Sequence, residues 1–392
     1  MRVFSLVMVM LAAVGTAGAA PRDLNIASKQ LDLGVSLLRQ GNGQEANRTL
    51  SPYSIHAALM LLRLGARGDT ASQIDQRLLP GSFSPQLQAI YQSMNAAVVN
   101  SSDVVTSVIA NSLWLQTGHQ YGVRYRTDSE KIFSAEPRLI DYKKPEQARE
   151  SINAWVSSKT QSLIPQLLPQ GVLTADTTCT IVNALYFKSA WAEAFKKELT
   201  KDESFWLTTS SEIKVPMMHH TDSMGYFESS EWIGVHLPYK ASDFTFVVLL
   251  PKRKLAAEEL ARQLSSEVFS KAMREQEFTK VSLSMPKFKV RQSRELLKQL
   301  AAFGLTRLAT GDFSDISPNG IGSVGAILHE AVVTVDEGGT EAAAATAVVV
   351  QRGFIREEQS RKDVTVDHPF AFALIHKPTQ APLFLGIVGD PR

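Results

Sequence analysis

From Leu24 to Arg39 apolar residues recur every three or four positions, with Leu24, Ala27, Leu31, Val35 and Leu38 on one face, which predicts an amphipathic helix. Ser51-Pro52-Tyr53-Ser54 predicts the start of a second helix, because serine caps a helix N-terminus and proline suits the first turn. That helix runs through Ala57 to Leu64 and stops near Gly65. Further along, the period changes. Residues 104–116, 178–187, 244–250, 281–290 and 324–335 read as strands, and Lys377-Pro378-Thr379-Gln380 separates two short apolar runs, Phe370 to His376 and Pro382 to Val388, in a hairpin pattern. No internal repeat or linker interrupts the series, so a single α+β domain is expected.

The composition fits that expectation. The chain has 392 residues, 44% hydrophobic and 20% charged, with a formal net charge of +2, too small to imply a nucleic-acid partner. The N-terminus reads as a signal peptide over residues 1–19: Met1-Arg2 is positive, Val3 to Val14 is almost wholly apolar, and Ala17-Gly18-Ala19 suits a cleavage site. Cutting after Ala20 would leave Pro21 in an awkward position. The apolar run is short for a membrane span, so the mature chain, residues 20–392, is expected to be soluble and secreted. Its one cysteine, Cys179, sits in an apolar stretch and reads as a small buried hydrophobe that forms no internal disulfide. Asn47-Arg48-Thr49 and Asn100-Ser101-Ser102 are sequons that would carry glycans where exposed.

Familiar catalytic patterns fail on context. Gly320-Ile321-Gly322-Ser323-Val324-Gly325 matches GxGxxG, but a turn precedes it and a valine-rich strand follows, the reverse of a dinucleotide site. His329-Glu330 opens like a zinc-protease helix, yet Val333 stands where the second histidine belongs. His219 and His220 are adjacent and would point apart on a strand, which argues against a shared metal. No nucleophile elbow or phosphate loop occurs, and nothing local nominates a triad among the eight histidines. The chain is read as neither an enzyme nor a metal or cofactor carrier.

The most informative stretch runs from Val335 to Ala347: two acids, two glycines, threonine and a run of tiny side chains leading into Val348-Val349-Val350 and Gln351-Arg352-Gly353-Phe354. Glycine permits unusual backbone angles, small residues fit a crowded sheet, and valine and threonine favour strands, so the segment is able to leave one conformation and enter another. It also reads as a strand ending in an alanine-rich linker, or as a short helix.

Several separated segments, in order, resemble the serpin family: Asn47 to Ile55, Leu64-Gly65-Ala66 with Thr70, Val182 to Lys188 with Trp191 and Phe195, Val215-Pro216-Met217-Met218, Leu283 to Phe288, the hinge at 337–346, and His368-Pro369-Phe370 with Pro382 to Gly386. The resemblance covers essentially the whole mature chain. It implies helices packed around a large mixed central sheet, with two smaller sheets and an exposed reactive-centre loop at about residues 337–363. It further implies a suicide substrate: a serine protease cleaves the loop, becomes acylated by it, and is trapped when the freed hinge inserts into the central sheet as a new strand. The partner would be that protease, held covalently, with the inhibitor a monomer binding neither nucleic acid nor membrane. The alternative is a non-inhibitory relative acting as carrier, storage protein or chaperone.

Site residues follow from the resemblance. The hinge would be Glu337, Gly338, Gly339, Thr340, Glu341, Ala342, Ala343, Ala344, Ala345 and Thr346; Gly338 departs from the family's charged or polar residue there. Once inserted, Thr340, Ala342, Ala344 and Thr346 would share the inward face. No proline lies between Thr340 and Val350, and the single charge, Glu341, falls outward, which favours an inserting hinge. Ser51, Ser54, Asn183 and His329 match a polar cluster that regulates sheet opening. Trp191 marks the loop's insertion point, and Glu337 with Lys287 a salt bridge beside it. The scissile bond is placed at Arg352-Gly353, suited to a trypsin-like protease, with Gly353-Phe354 and Arg356-Glu357 as alternatives. The region that carries basic charge in heparin-binding members, Ser82 to Val99, has no lysine or arginine, so heparin binding there is not expected.

Overall fold

The computed structural model describes residues 25–41, 45–340 and 361–392. The first helix is Ile26–Arg39, capped by Asn25, whose Oδ1 accepts from the Ser28 amide at 3.1 Å. The second is Pro52–Gly65, where Ser51 Oγ accepts from the Ser54 amide at 3.1 Å. It stops where Gly65 meets the Ile316 side chain: a Cβ at Gly65 would lie 2.0 Å from Ile316 Cγ1.

Among the described residues the strands form two sheets. In the seven-stranded main sheet the order is Phe288–Glu295, Val324–Asp336, the two-residue strand Gly339–Thr340, Cys179–Ala190, Val105–Gln116 and Asn100–Ser101, with Arg138–Ile140 pairing parallel to Val105–Gln116. Alternation along these strands divides the core. Ile181, Leu185, Phe187, Ile327, Ala331, Val333 and Val335 face the main core with helix Pro52–Gly65. Val182, Ala184, Ala326 and Leu328 face the opposite way, into a smaller cluster with Ile152, Trp155 and Val156 of helix Pro145–Lys159.

The second sheet has nine strands and contains the C-terminal hairpin, Phe370–His376 with Ala381–Val388, buried along both strands. The two smaller sheets expected from the resemblance are continuous here, because the 18-residue strand Ser211–Glu228 runs through both. Arg48–Leu50 pairs with residues 385–387 of the hairpin at one edge.

One expected strand, 281–290, is two. Glu277–Pro286 pairs with Ser211–Glu228, whereas Phe288–Glu295 belongs to the main sheet. Pro286 has no amide hydrogen with which to extend a ladder. Lys287 carries the chain from one sheet to the other, its amide donating to Pro216 O at 3.1 Å. Gly320 and Gly322 lie in the turn before strand Val324–Asp336 with φ of +70° and +67°, and a strand, not a helix, follows.

Asn47 of the first sequon is half-buried. Its side-chain Nδ2 donates to Asp390 O at 2.6 Å, and its Oδ1 accepts from the amides of Gly389 and Asp390, both at 2.9 Å. Thr49, the sequon's third residue, is fully buried with its hydroxyl on Leu385 O. A glycan at Asn47 would have to break this clasp.

Cys179 is fully buried, and burial pushes its thiol well above the ordinary range. The native protein is therefore expected to take up no iodoacetamide over hours at pH 8 and to be labelled fully in denaturant, read by intact mass.

Candidate functional site: the seam of the main sheet

Val324–Asp336 and Cys179–Ala190 pair in parallel from Val324 opposite Cys179 to Ala331 opposite Leu185. Beyond Ala331 they part. Gly339–Thr340 fits between them, antiparallel to both, with Thr340 opposite Val335 on one side and Ser189 on the other. The seam is thus closed over most of its length and already occupied at its mouth.

The turn feeding the mouth is built from Asp336, whose Oδ1 accepts from the amides of Gly338 at 2.8 Å and Gly339 at 3.2 Å. Gly339 has φ +150°, and a Cβ there would lie 2.2 Å from Ser189 O, so glycine alone fits. Trp191 Nε1 donates to Asp336 O at 2.9 Å, and its amide donates to Gly338 O at 3.0 Å. Its indole stacks on Tyr239 at 4.7 Å. Thr340 faces inward, 1% exposed, with its hydroxyl 2.5 Å from Tyr239 Oη. The first residues of the expected exposed loop are therefore sheet, as are Lys362–Thr365 near its far end, which pair with Val281–Ser284.

Lys287 Nζ lies 3.2 Å from Glu337 Oε1, which also accepts from the Thr200 hydroxyl at 2.8 Å. The Glu337 side chain is only 7% exposed. Burial pushes its carboxyl up, but the Thr200 hydroxyl and the Lys287 ammonium hold it below the usual range. Glu341, Ala342, Ala343, Ala344, Ala345 and Thr346, and the bond candidates Arg352, Gly353, Phe354, Arg356 and Glu357, lie outside the described residues, as do residues 1–24.

Midway along the seam the four polar residues meet. The Ser51 amide donates to His329 Nε2 at 3.0 Å, which leaves the ring proton on Nδ1 to donate to Asn183 Oδ1 at 2.7 Å. Asn183 Nδ2 donates to Ser54 O at 2.8 Å and Ser54 Oγ at 2.5 Å. It also donates to Asn111 Oδ1. The cluster joins the start of helix Pro52–Gly65 to both sides of the seam, so opening the seam breaks the His329–Asn183 bond. Asn111 escaped the sequence reading. Its signal was a polar residue within the largely apolar strand Val105–Gln116, paired directly across from Asn183.

His219 and His220 do point apart. His219 hydrogen-bonds Glu203 Oε1 at 3.1 Å and Ser284 Oγ at 2.9 Å, while His220 packs on Phe195. Among the described residues no group of His, Cys, Asp or Glu is arranged to hold a metal ion.

A family profile described as serpin (serine protease inhibitor) matches residues 28–391. A leukocyte elastase inhibitor of Bos taurus is 32% identical over 94% of this chain and 99% of its own length. An uncharacterised serpin-like protein of Methanosarcina mazei is 30% identical over 92% of this chain and 85% of its own. Among solved structures, Serpin48 of the insect Tenebrio molitor superposes with a TM-score of 0.85 at 23% identity, covering 96% of this chain and 100% of that one. Uncleaved ovalbumin gives 0.81 at 24% identity over 94% and 100%. The chain belongs to the serpin family, and its fold is the serpin fold.

The buried polar groups set two expectations. Asn183→Ala leaves Ser54, Asn111 and His329 short of partners and should lower stability by about 3 kcal/mol in chemical denaturation. Burial lowers His329 from 6.5 to about 3, with the Arg294 charge adding to it, and lowers His56 and His236 to about 4 against partly opposing backbone hydrogen bonds. The unfolded chain takes up these protons near pH 6.5 and the folded one resists, so the stability they contribute is full above about pH 6.5 and is lost as pH falls toward 4. Between pH 6.5 and 5 the denaturation midpoint should drop steadily; a flat profile would mean the imidazoles are charged within the fold.

Proposed function

We propose that the protein is a secreted suicide-substrate inhibitor of a serine endopeptidase. The observation that carries the reading is the mouth of the seam: Gly339–Thr340 already lies antiparallel between the two parallel-paired strands, in the register a longer inserting strand would continue. Continuing that register sets each further hinge residue between one residue of each neighbouring strand, with a hydrogen bond worth roughly 1 kcal/mol gained at each backbone group newly paired. The residues after Thr340 are small, and none before Val350 is a proline.

The chemistry belongs to the target. Its serine Oγ attacks the carbonyl carbon of the residue before the scissile bond, the peptide C–N bond breaks, and the new amine leaves carrying the proton delivered by the protease histidine. An ester then joins protease to inhibitor, and insertion of the freed hinge carries the protease away before water reaches that ester. Arg352-Gly353 is the bond we assign, because an arginine side chain reaches the acidic pocket of a trypsin-like protease. Export follows from the apolar N-terminal segment and its cleavage site after Ala19.

Mixing the mature protein with trypsin-, chymotrypsin- and elastase-like proteases should give a complex stable on a denaturing gel, together with a released peptide starting at Gly353. Cleavage by every protease with no complex and no gain in heat stability would instead identify a non-inhibitory relative. Thr340→Arg puts a charge at the buried inward position and should convert the inhibitor into a substrate, cleaved at an unchanged rate with no complex; unchanged trapping would reject hinge insertion.

A further inference from the structure

The glycine-rich segment that fails as a dinucleotide site begins in the turn leading to the seam. Ser317-Pro318-Asn319-Gly320 is a β-turn closed by the Gly320 amide, which donates to Ser317 O at 2.8 Å. Proline suits its second position and glycine its fourth. Gly320 O accepts from His119 Nδ1 at 3.0 Å, which ties the turn to the loop after strand Val105–Gln116. Three residues on, the Ser323 amide and carbonyl bond the Thr178 hydroxyl at 3.3 and 2.8 Å, beside the first residue of strand Cys179–Ala190. The turn therefore sets the closed end of the seam, where both walls begin.

Asn319 stands apart in this chain. It is exposed, and its side chain makes no hydrogen bond among the described residues. The side chains of Asn25, Asn47, Asn95, Asn111, Asn153 and Asn183 are each held by at least one. Asn319 is also the single described asparagine that precedes a glycine; Asn42-Gly43 lies outside the described residues. A Cβ on the following residue crowds the path from its amide nitrogen to the asparagine side-chain carbon, and glycine has none. The space where a Cβ on Gly320 would sit is open, with no atom within 4 Å.

We propose that Asn319 is a site of spontaneous deamidation, and that the reaction loosens the closed end of the seam. The Gly320 amide nitrogen, its proton lost to a hydroxide ion of the solvent, attacks Asn319 Cγ. A nitrogen–carbon bond forms, the Cγ–Nδ2 bond breaks, and Nδ2 takes a proton from water and leaves as ammonia. A five-membered imide remains, and water opens it on either side. Breaking the bond to Cγ gives aspartate on an unchanged backbone. Breaking the bond to the main-chain carbonyl carbon gives isoaspartate, whose main chain is longer by one carbon. That extra carbon shifts Gly320 O from His119 and Ser323 from Thr178. The Ser317–Gly320 bond slows the first step, but a single bond in an exposed turn opens far more often than a buried ladder does. Deamidation here is independent of whether the protein traps a protease.

The test ages the full-length protein at 37 °C and pH 8 and maps its peptides by mass, with an isoaspartyl assay to tell the two products apart. Over days the peptide holding Asn319 should lose most of its amide, while those holding Asn111 and Asn183 retain theirs. Asn319→Gln, which would have to close a six-membered ring, should stay intact. Hydrogen exchange at Val324, whose amide donates to Ala309 O at 3.1 Å, should quicken in the aged parent and not in aged Asn319→Gln. A synthetic peptide of residues 314–325 supplies the rate without the fold. If that peptide deamidates and the folded protein retains the Asn319 amide, the turn protects the residue and the site is overturned. A mass gain at Asn42 alone, which mapping keeps apart, counts against it in the same way. Deamidation of Asn319 that leaves exchange at Val324 unchanged overturns the role given to the turn.

Discussion

The parallel ladder between Cys179–Ala190 and Val324–Asp336 is the constraint around which the rest of the molecule is arranged. Its residues are buried on both faces, so every backbone group along it has to find its partner in a neighbouring strand. Parallel pairing is slightly less stable per residue than antiparallel, and this ladder is flanked by antiparallel neighbours on either side. The main sheet thus carries a parallel join in its interior. An edge strand would leave by peeling away, whereas this join opens only by moving two packed halves of a sheet apart.

Different physics guards the two faces of the join. Beneath it, one histidine of fixed tautomer bonds an asparagine across the gap, and the same asparagine bonds the start of a helix. Directional bonds of this kind specify a single closed arrangement and are lost together when it opens. Above it lies an apolar layer with a cation between two indoles, contacts that weaken gradually as surfaces slide. At the mouth, Thr340 on Tyr239 and Glu337 between Lys287 and Thr200 keep the first turn of the hinge in place.

Much of this was legible in the chain. The cap at Ser51 and the apolar periods predict the first two helices, whereas Ser51, Ser54, Asn183 and His329 were singled out by the resemblance to serpins and not by the residue pattern. What was missed needed tertiary information. Nothing in the alternation around Val281 to Val290 shows that the chain changes sheets; only Pro286 hinted at a break, and proline at a strand end has the same appearance. Helix Pro145–Lys159 carried a readable stripe in Ala148, Ile152, Trp155 and Val156. Its ties to the sheet were hidden, since Trp114, Glu136, Arg138, Trp155 and Lys159 come together only once the sheet exists. Sequence also could not show where the loop departs from the sheet: Gly339 and Thr340 look like a flexible hinge, and the space between two diverging strands makes them a strand.

The clasp at Asn47 has a consequence for the order in which the molecule assembles. Its amide bonds reach residues 389 and 390, and Arg48–Leu50 waits for the strand Ala381–Val388 to pair with. Asn47 and Asp390 are 343 positions apart, so a growing chain has made the seam strands, their covering helix and the hinge well before the partner of its first strand emerges. Contacts between such distant segments form late and slowly. During that interval a nascent chain carries a second sheet of apolar strands still missing its last members. Speed of synthesis and helper proteins that shield those strands thus become part of what decides whether the chain reaches its closed fold.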